Sequence, residues 1–154
     1  MKRMVIAAIA VCCFYHIHSQ SFCDDIKETK DQFTDEVTYS SPLLDVISFS
    51  KVLAKTDTFY FASLRAHAST GAFGKGVIIL LEDGQKIEKP ARVDITYESV
   101  SEGYMATAFI RLTSADLSKL SISKIKAFRL YIFDREDIAR ADAYREYVKC
   151  LVSK

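Results

Sequence analysis

The sequence predicts a mainly β protein, an antiparallel β-sandwich or a partly open barrel, with a short helix near residues 114–120 and a C-terminal amphipathic helix. Three observations carry this prediction. Apolar and polar residues alternate along most of the chain after Val37. No helical crossover separates the β-rich runs, which favours antiparallel pairing. Near the C-terminus, apolar residues instead recur at intervals of three and four. An α+β fold is an alternative.

The β-rich runs begin after an acidic segment, residues 24–36, which is predicted to lie on the surface. VTYSS alternates, and LLDVISFSKVL places Ile47 and Phe49 on one face together with Lys51. TFYFASLRAHA is rich in aromatic and small residues and predicts a largely buried strand.

A β-hairpin is the clearest local prediction, in GVIILLEDGQKIEKP. Asp83-Gly84 joins two β-rich runs and tolerates the positive φ angles of a type I′ turn. Pro90 is predicted to end or weaken the second strand, because proline cannot donate a ladder hydrogen bond. ARVDITYESV and GYMATAFIRLT then predict two alternating strands.

Two helices are predicted in the last third of the chain. TSADLSKL has Thr113 or Ser114 as its N-cap, and Asp116 complements the dipole in the first turn. KIKAFRLYIFD predicts one more strand. REDIARADAYREYVKCLV then predicts a helix whose apolar face carries Ile138, Ala141, Tyr144, Val148 and Leu151.

Residues 1–19 predict a secretory signal peptide. Basic MKR precedes the apolar run MVIAAIAVCCF, which is too short to span a bilayer, and Ser19 is a small residue suited to cleavage. Residues 20–154 would then form a single domain in a secreted, periplasmic or cell-envelope location. An uncleaved anchor or an interfacial segment is the alternative.

Charge argues against nucleic acid as a partner. Removing residues 1–19 would change the formal charge from +1 to −1, because 19 basic and 20 acidic residues remain. A nucleic-acid-binding protein has a basic footprint that this balance lacks. No transmembrane segment is expected in the mature chain either.

Cys23 and Cys150 are predicted to form a disulfide, since an isolated cysteine pair in an oxidising compartment usually bonds. Two alternatives stay open. Both thiols could be free, or Cys23 could carry a lipid anchor, although Phe22 occupies the preceding position, where such signals have a small residue. Four residues of the types that bind zinc or copper precede the predicted cleavage site: Cys12, Cys13, His16 and His18. Because cleavage would remove them, no metal or cofactor is expected.

Catalysis would have to use His67, the sole histidine after residue 20. A hydrolase needs such a base beside a serine and a carboxylate, but no GxSxG motif occurs. His67 shares a strand face with Phe59, Phe61 and Arg65, which predicts a surface or partly buried histidine. The acidic clusters have no specific spacing, and GAFGKG departs from a phosphate-binding loop. No catalytic residue is assigned.

Binding remains the favoured activity, because it needs no motif. Tyr39, Tyr97, Tyr104, Tyr144 and Tyr147 could line a surface site, whereas aromatic residues in β proteins mostly fill cores. We therefore expect a non-enzymatic binding or interaction module for an unknown protein or small-molecule ligand. A small-ligand carrier with an internal cavity and a hydrolase using His67 are the alternatives.

Three segments resemble a family of small secreted proteins of Bacteroidota bacteria: KDQFTDEVTYSSP, GKGVIILLEDGQKIEKP and the run from AFIRLTSADLSKL to IKAFRLYIFD. In the similar D-x-F-T segments, glycine often follows the Phe-Thr pair, where Asp35 stands here. The resemblance implies export and a β-rich fold, and it supplies no catalytic residues. Lipocalins also place a late helix and a C-terminal cysteine after their strands. Their early GxW motif is missing, so a lipocalin-like barrel is only a fold alternative.

Overall fold

A computed structural model describes residues 21–71 and 74–154. The predicted signal peptide, with its cysteines and histidines, lies outside them. The strands are β1 (Lys27–Lys30), β2 (Val37–Ser40), β3 (Ile47–Leu53), β4 (Thr58–Ala68), β5 (Lys75–Leu81), β6 (Lys86–Val100), β7 (Gly103–Leu112), β8 (Ile125–Leu130) and β9 (Phe133–Arg135), and the helices are α1 (Ser114–Ile122) and α2 (Ala141–Ser153). The predicted mainly antiparallel β class, with a short helix and a C-terminal helix, is confirmed.

The nine strands form one open antiparallel sheet in the order β1-β2-β3-β4-β7-β6-β5-β8-β9. The long strand β6 serves both halves, pairing with β5 through Lys86–Lys89 and with β7 through Ile95–Val100. The sheet curls, so that β9 contacts β4 and β8 contacts β7. Within the described ranges its edge strands, β1 and β9, do not pair, and the curl stops short of a closed barrel.

Pro90 lies inside β6 and does not end it. The register of β6 against β5 shifts between Lys89 and Asp94, which face Val77 and Lys75 respectively. A proline is tolerated where a ladder is interrupted in this way, because it has no N–H group to donate to a regular ladder.

Alanines on the inner face of the two central strands let the sheet curl tightly. Each is almost completely buried: Ala62, Ala66 and Ala68 on β4, and Ala106 and Ala108 on β7. Helix α2 packs on the same side against β3 and β8. Its Tyr144 is 1% exposed and meets Phe49 edge to face, with ring centroids 6.3 Å apart. The inner side of the sheet is therefore a packed core.

The predicted β5–β6 hairpin is present, with a different turn. Gly84 adopts φ +84°, whereas Asp83 has no positive φ. The N–H group of Gly84 donates to the carbonyl of Leu81, whose own N–H group donates to Gln85. A type I turn followed by a left-handed glycine, rather than a type I′ turn, explains this pattern.

Three further elements differ from those predicted. The predicted strand KIKAFRLYIFD is a hairpin, in which Leu130 pairs with Phe133 and Tyr131 adopts φ +58°. Strand β1 occupies the segment predicted as a polar lead-in, and all four of its side chains are exposed. Helix α2 begins only at Ala141, because Arg140 has a left-handed conformation.

Helix α1 begins at the predicted cap. The Thr113 hydroxyl accepts from the Asp116 N–H group, and the Asp116 carboxylate accepts from the Thr113 N–H group at 2.8 Å. This reciprocal capping box satisfies two of the free donors at the helix start. Asp116 also forms an ion pair with Lys89 of β6, which ties the helix to the sheet.

Cys23 and Cys150 form a disulfide, as the sequence predicts, with their Cα atoms 5.2 Å apart. The bond joins the segment before β1 to the last turns of α2, across 127 positions of the chain. A sulfur atom engaged in this bond is not free for acylation.

Candidate functional site

The outer face of β4 and β7 carries phenylalanine side chains opposite the alanine-rich inner face. Along β4, buried Ala62 and Leu64 alternate with Phe59, Phe61 and other residues that point outward. Along β7, Phe109 lies outward between buried Ala108 and Ile110 in the same way. The period of two that builds the core therefore also places three aromatic rings on the opposite surface.

Together with two neighbouring side chains, these rings form a contiguous surface, which we call the aromatic patch. Its members are Val52, Phe59, Phe61, Phe109 and Arg111. The rings of Phe61 and Phe109 stack, with centroids 4.8 Å apart and an interplanar angle of 17°. The Arg111 guanidinium lies over the Phe59 ring, with its central carbon 4.3 Å from the centroid. Val52 pairs with Phe59 across β3 and β4.

The aromatic patch remains open to solvent. Phe109 is 60% exposed, Arg111 is exposed, and the other three members are half-buried. An exposed stacked pair of phenylalanines next to a cation–π pair is more than a scattered surface apolar residue. It is the kind of surface that a binding partner covers.

Small hydroxyl side chains surround the aromatic patch on the outer face of the sheet. The strand registers place them on the same outer face: Thr38, Ser40, Ser48, Ser50, Ser63, Thr96 and Thr107. Such small side chains leave the rings accessible. The geometry suits an extended or protruding segment of a partner better than a deeply enclosed small molecule.

Two arginines give this face a positive character. Arg65 and Arg111 are both exposed, and neither takes part in any ion pair among the residues of ranges 21–71 and 74–154. A guanidinium binds a carboxylate through two parallel hydrogen bonds. The aromatic patch can therefore receive an apolar group while Arg65 and Arg111 bind acidic groups beside it.

His67 lies exposed on this outer face, as predicted, and faces Met105 on β7. Its ring also approaches the turn at Gly103. Among the described residues, no hydrogen bond joins His67 to a serine or a carboxylate. Within ranges 21–71 and 74–154, the structure therefore joins His67 to no nucleophile or acid.

The five tyrosines do not converge on one surface. Tyr144 and Tyr147 are buried in the core, and Tyr39 and Tyr97 pack partly buried against it. Tyr104 is 37% exposed. Filling the core is thus the main role of these side chains.

The acidic clusters have structural roles. Asp134 accepts two hydrogen bonds from the Arg129 guanidinium, which lower the pKa of its carboxyl group. Asp83 accepts from the Gln85 N–H group within the hairpin, and Asp25 accepts from the Tyr147 hydroxyl. Each of these three carboxylates therefore makes a structural contact.

The groove between α1 and α2 is another concave surface, of about 500 Å³, and it is lined by Tyr60, Leu117, Lys149, Val152 and several serines. It is broadly open to solvent, unlike the enclosed cavity of a carrier.

In the part of the chain that the structure covers, no three His, Cys, Asp or Glu side chains cluster as metal ligands would. No helix there is long and apolar enough to cross a membrane.

Comparisons with protein-family models, curated proteins and solved structures give no match to this chain. A sequence signal for the aromatic patch exists: Phe59, Phe61 and Arg65 alternate with Ala62 and Leu64. Which of the two apolar faces stays uncovered depends on how distant strands and helices pack.

Proposed function

We propose that this protein is an exported, non-enzymatic binding module, and that its aromatic patch binds a partner protein. The observation that carries the proposal is the stacked pair of Phe61 and Phe109 beside the pair of Arg111 and Phe59, exposed on an open sheet face. Aromatic residues and arginine are enriched among the residues that dominate protein–protein binding energy.

The partner's chemistry is inferred from the two kinds of side chain on this face. Covering the exposed rings with an apolar group stabilises the complex, because apolar surface is removed from water. Arg65 and Arg111, which lack acidic partners within the described ranges, gain from carboxylates placed beside that group. A segment with an aromatic or aliphatic side chain flanked by acidic residues meets both requirements.

Export is supported by two features of the chain. The basic and then apolar start fits a secretory signal, and a disulfide between Cys23 and Cys150 is stable in oxidising compartments. The resemblance to secreted Bacteroidota proteins agrees with this location. Intact-mass spectrometry of the exported protein tests it: a mass that begins near Gln20 supports export, and an unprocessed start at Met1 contradicts it.

The binding proposal is tested with a defined peptide. Acetylated Asp-Phe-Asp amide is titrated into the nitrogen-15-labelled protein, with Asn-Phe-Asn as the uncharged comparison. We expect chemical-shift changes in the NMR spectrum centred on Phe61, Phe109 and Arg111. The Kd should be about 1–5 mM or lower, and the uncharged peptide should bind several-fold more weakly. Shift changes elsewhere, or none at saturating peptide, would overturn the proposal.

Matched variants identify the surface. Phe109→Ser and Arg111→Gln should each weaken the acidic peptide several-fold, because each removes one of the two contacts. Ile122→Ser is the control, since Ile122 is 73% exposed on α1, away from the sheet face. Equal affinities of all three variants would contradict the assignment of the aromatic patch.

A further inference from the structure

The connection between β1 and β2 presents a single aromatic side chain to solvent. Phe33 is 97% exposed, the highest exposure among the large apolar residues of the described ranges. It lies in the segment Asp31–Glu36, which we call the Phe33 tip. Because it contacts so little of its own molecule, its ring is available to another one.

The Phe33 tip is held in one conformation by its own hydrogen bonds. The Asp31 carboxylate accepts from the N–H groups of Phe33 at 2.7 Å and Thr34 at 2.9 Å. These backbone donors, Thr34 first and then Phe33, lower the pKa of the Asp31 carboxyl group. The Asp31 N–H group donates to the backbone carbonyl of Glu36, and the Asp35 N–H group donates to the backbone carbonyl of Asp31.

Asp35 completes this arrangement with a left-handed conformation, φ +60°, and an ion pair to Lys30 at 3.0 Å. Glycine adopts this conformation without strain, and Asp and Asn are the other residues that tolerate it. A preorganised turn loses little conformational entropy when its aromatic side chain is buried by a partner.

The Phe33 tip belongs to an acidic segment. Residues 24–36 contain six acidic and two basic side chains, a formal charge of −4. An exposed phenylalanine on an acidic turn is the chemistry that the aromatic patch is proposed to bind. The same chain therefore carries both halves of the interaction.

We propose that the Phe33 tip of one molecule binds the aromatic patch of a second copy. This inference rests on the proposed function of the patch and names its partner. Phe33 would lie against Phe61 and Phe109 of the second copy, with carboxylates of the acidic segment beside Arg65 and Arg111. A tip and a patch are different surfaces, so the contact is head-to-tail, and a molecule with both can extend a chain of copies.

The contact is small. One phenylalanine and its flanking acids bury far less than the roughly 1,200–2,000 Å² of a stable interface. The association is therefore weak and concentration-dependent, and added salt weakens it further because guanidinium–carboxylate attraction contributes. Self-association should appear at high protein concentration and low ionic strength.

A complementation experiment tests this arrangement. Phe33→Ser removes the tip and keeps the patch, whereas the double change Phe109→Ser with Arg111→Glu removes the patch and keeps the tip. Sedimentation equilibrium should show a mass that rises with concentration for the unmodified protein, and a monomer for each variant alone. An equimolar mixture of the two variants should form a dimer that does not grow, because only one tip and one patch are intact.

Two controls and the peptide titration keep the outcomes distinct. Ile122→Ser should associate like the unmodified protein, and circular dichroism should show that all variants are folded. A monomeric unmodified protein near millimolar concentration, or a variant mixture that stays monomeric, would overturn the self-association. If the patch nevertheless binds the acidic peptide, only the identity of the partner is wrong. If the peptide also fails, the proposed function fails with it.

Discussion

The guanidinium carbon of Arg111 lies 4.3 Å from the centroid of the Phe59 ring, across the paired strands β7 and β4. Such cation–π pairs contribute roughly 0.5–1 kcal/mol at exposed sites. The same geometry fixes the guanidinium beside the stacked phenylalanines, so it bears on both stability and binding.

A double-mutant cycle on Phe59→Leu and Arg111→Leu should give a coupling free energy of about 0.5–1 kcal/mol, measured by urea unfolding. Arg65→Leu is the matched control. Arg65 is six residues from Phe59 on the same strand, about 20 Å away, so that pair should show no coupling. Equal coupling in both cycles would mean that the Arg111 contact adds nothing specific.

Patch residues should cost less stability than core residues on the same strands. Phe109→Ser should lower the free energy of unfolding by no more than about 1 kcal/mol, because the ring is 60% exposed. Leu64→Ala should lower it by about 2–5 kcal/mol, because Leu64 is completely buried. Urea unfolding measures both. Comparable losses would indicate that Phe109 is structural and would weaken its assignment to binding.

Loss of the disulfide should destabilise the fold strongly. In the chain-entropy model, a bond that closes 127 positions contributes about 5 kcal/mol by restricting the unfolded chain. The double variant Cys23→Ser with Cys150→Ser should therefore unfold at a much lower urea concentration. Reductant should destabilise the unmodified protein and leave the double variant unchanged. An equal response of the two proteins would show that the bond does not stabilise the fold.

The ion pair between Lys89 and Asp116 should contribute stability that depends on pH. Burial on its own would raise the pKa of Asp116, but the hydrogen bonds from Lys89 and Thr113 together lower it below its ordinary value. The carboxylate therefore stabilises the fold above the ordinary pKa of an aspartate, about 4, and this contribution is lost as pH falls through the lowered value.

Urea unfolding of the unmodified protein and of Asp116→Asn across this pH range measures that contribution. The difference in stability should be largest near neutral pH and should shrink in acid. Lys89→Met should lower the free energy of unfolding by about 3 kcal/mol at neutral pH. This is the low end of the range for breaking a buried ion pair, because both side chains keep some exposure. A difference between unmodified protein and Asp116→Asn that does not change with pH would contradict this account.

Tyr147 should ionise later than an ordinary tyrosine. Burial, followed by the hydrogen bond to Asp25, raises the pKa of Tyr147 to about 12. The neutral hydroxyl therefore stabilises the fold up to the ordinary pKa near 10, and that contribution is lost as pH rises through the higher value. Burial also raises the pKa of Tyr97 and of Tyr144. Phenolate absorbance should therefore show a late ionisation whose amplitude falls by one tyrosine in Tyr147→Phe. An unchanged late amplitude in Tyr147→Phe would contradict this assignment.

Features that depend on neighbouring residues were predictable from the sequence. The Asp83-Gly84 hairpin, the Thr113 cap and the apolar face of α2 all follow from local spacing, and the cysteine pair follows from the small number of candidates. The β8–β9 hairpin was not predictable, because Tyr131-Ile132 is not a turn-forming dipeptide and tertiary packing imposes the turn. Strand β1 has no apolar alternation to reveal it.

The aromatic patch could not be recognised for a nonlocal reason. The first half of TFYFASLRAHA is apolar on both faces, and its aromatic and small residues predict a largely buried strand. The helices and the curl of the sheet cover only the side of Ala62 and Leu64 and leave Phe59 and Phe61 outside. Arg65 and His67 mark the exposed side in the second half of the strand, but in the first half, around Phe59 and Phe61, no polar side chain does so.

The disulfide between Cys23 and Cys150 also determines how the protein would respond to mechanical force. A pull applied to the two ends of the chain is transmitted through the sulfur–sulfur bond, which lies between those ends and the sheet. The nine strands therefore carry no tension as long as the bond is intact. A molecule tethered at one end and drawn at the other would keep its sheet folded under load, and only reduction would expose the sheet to that force.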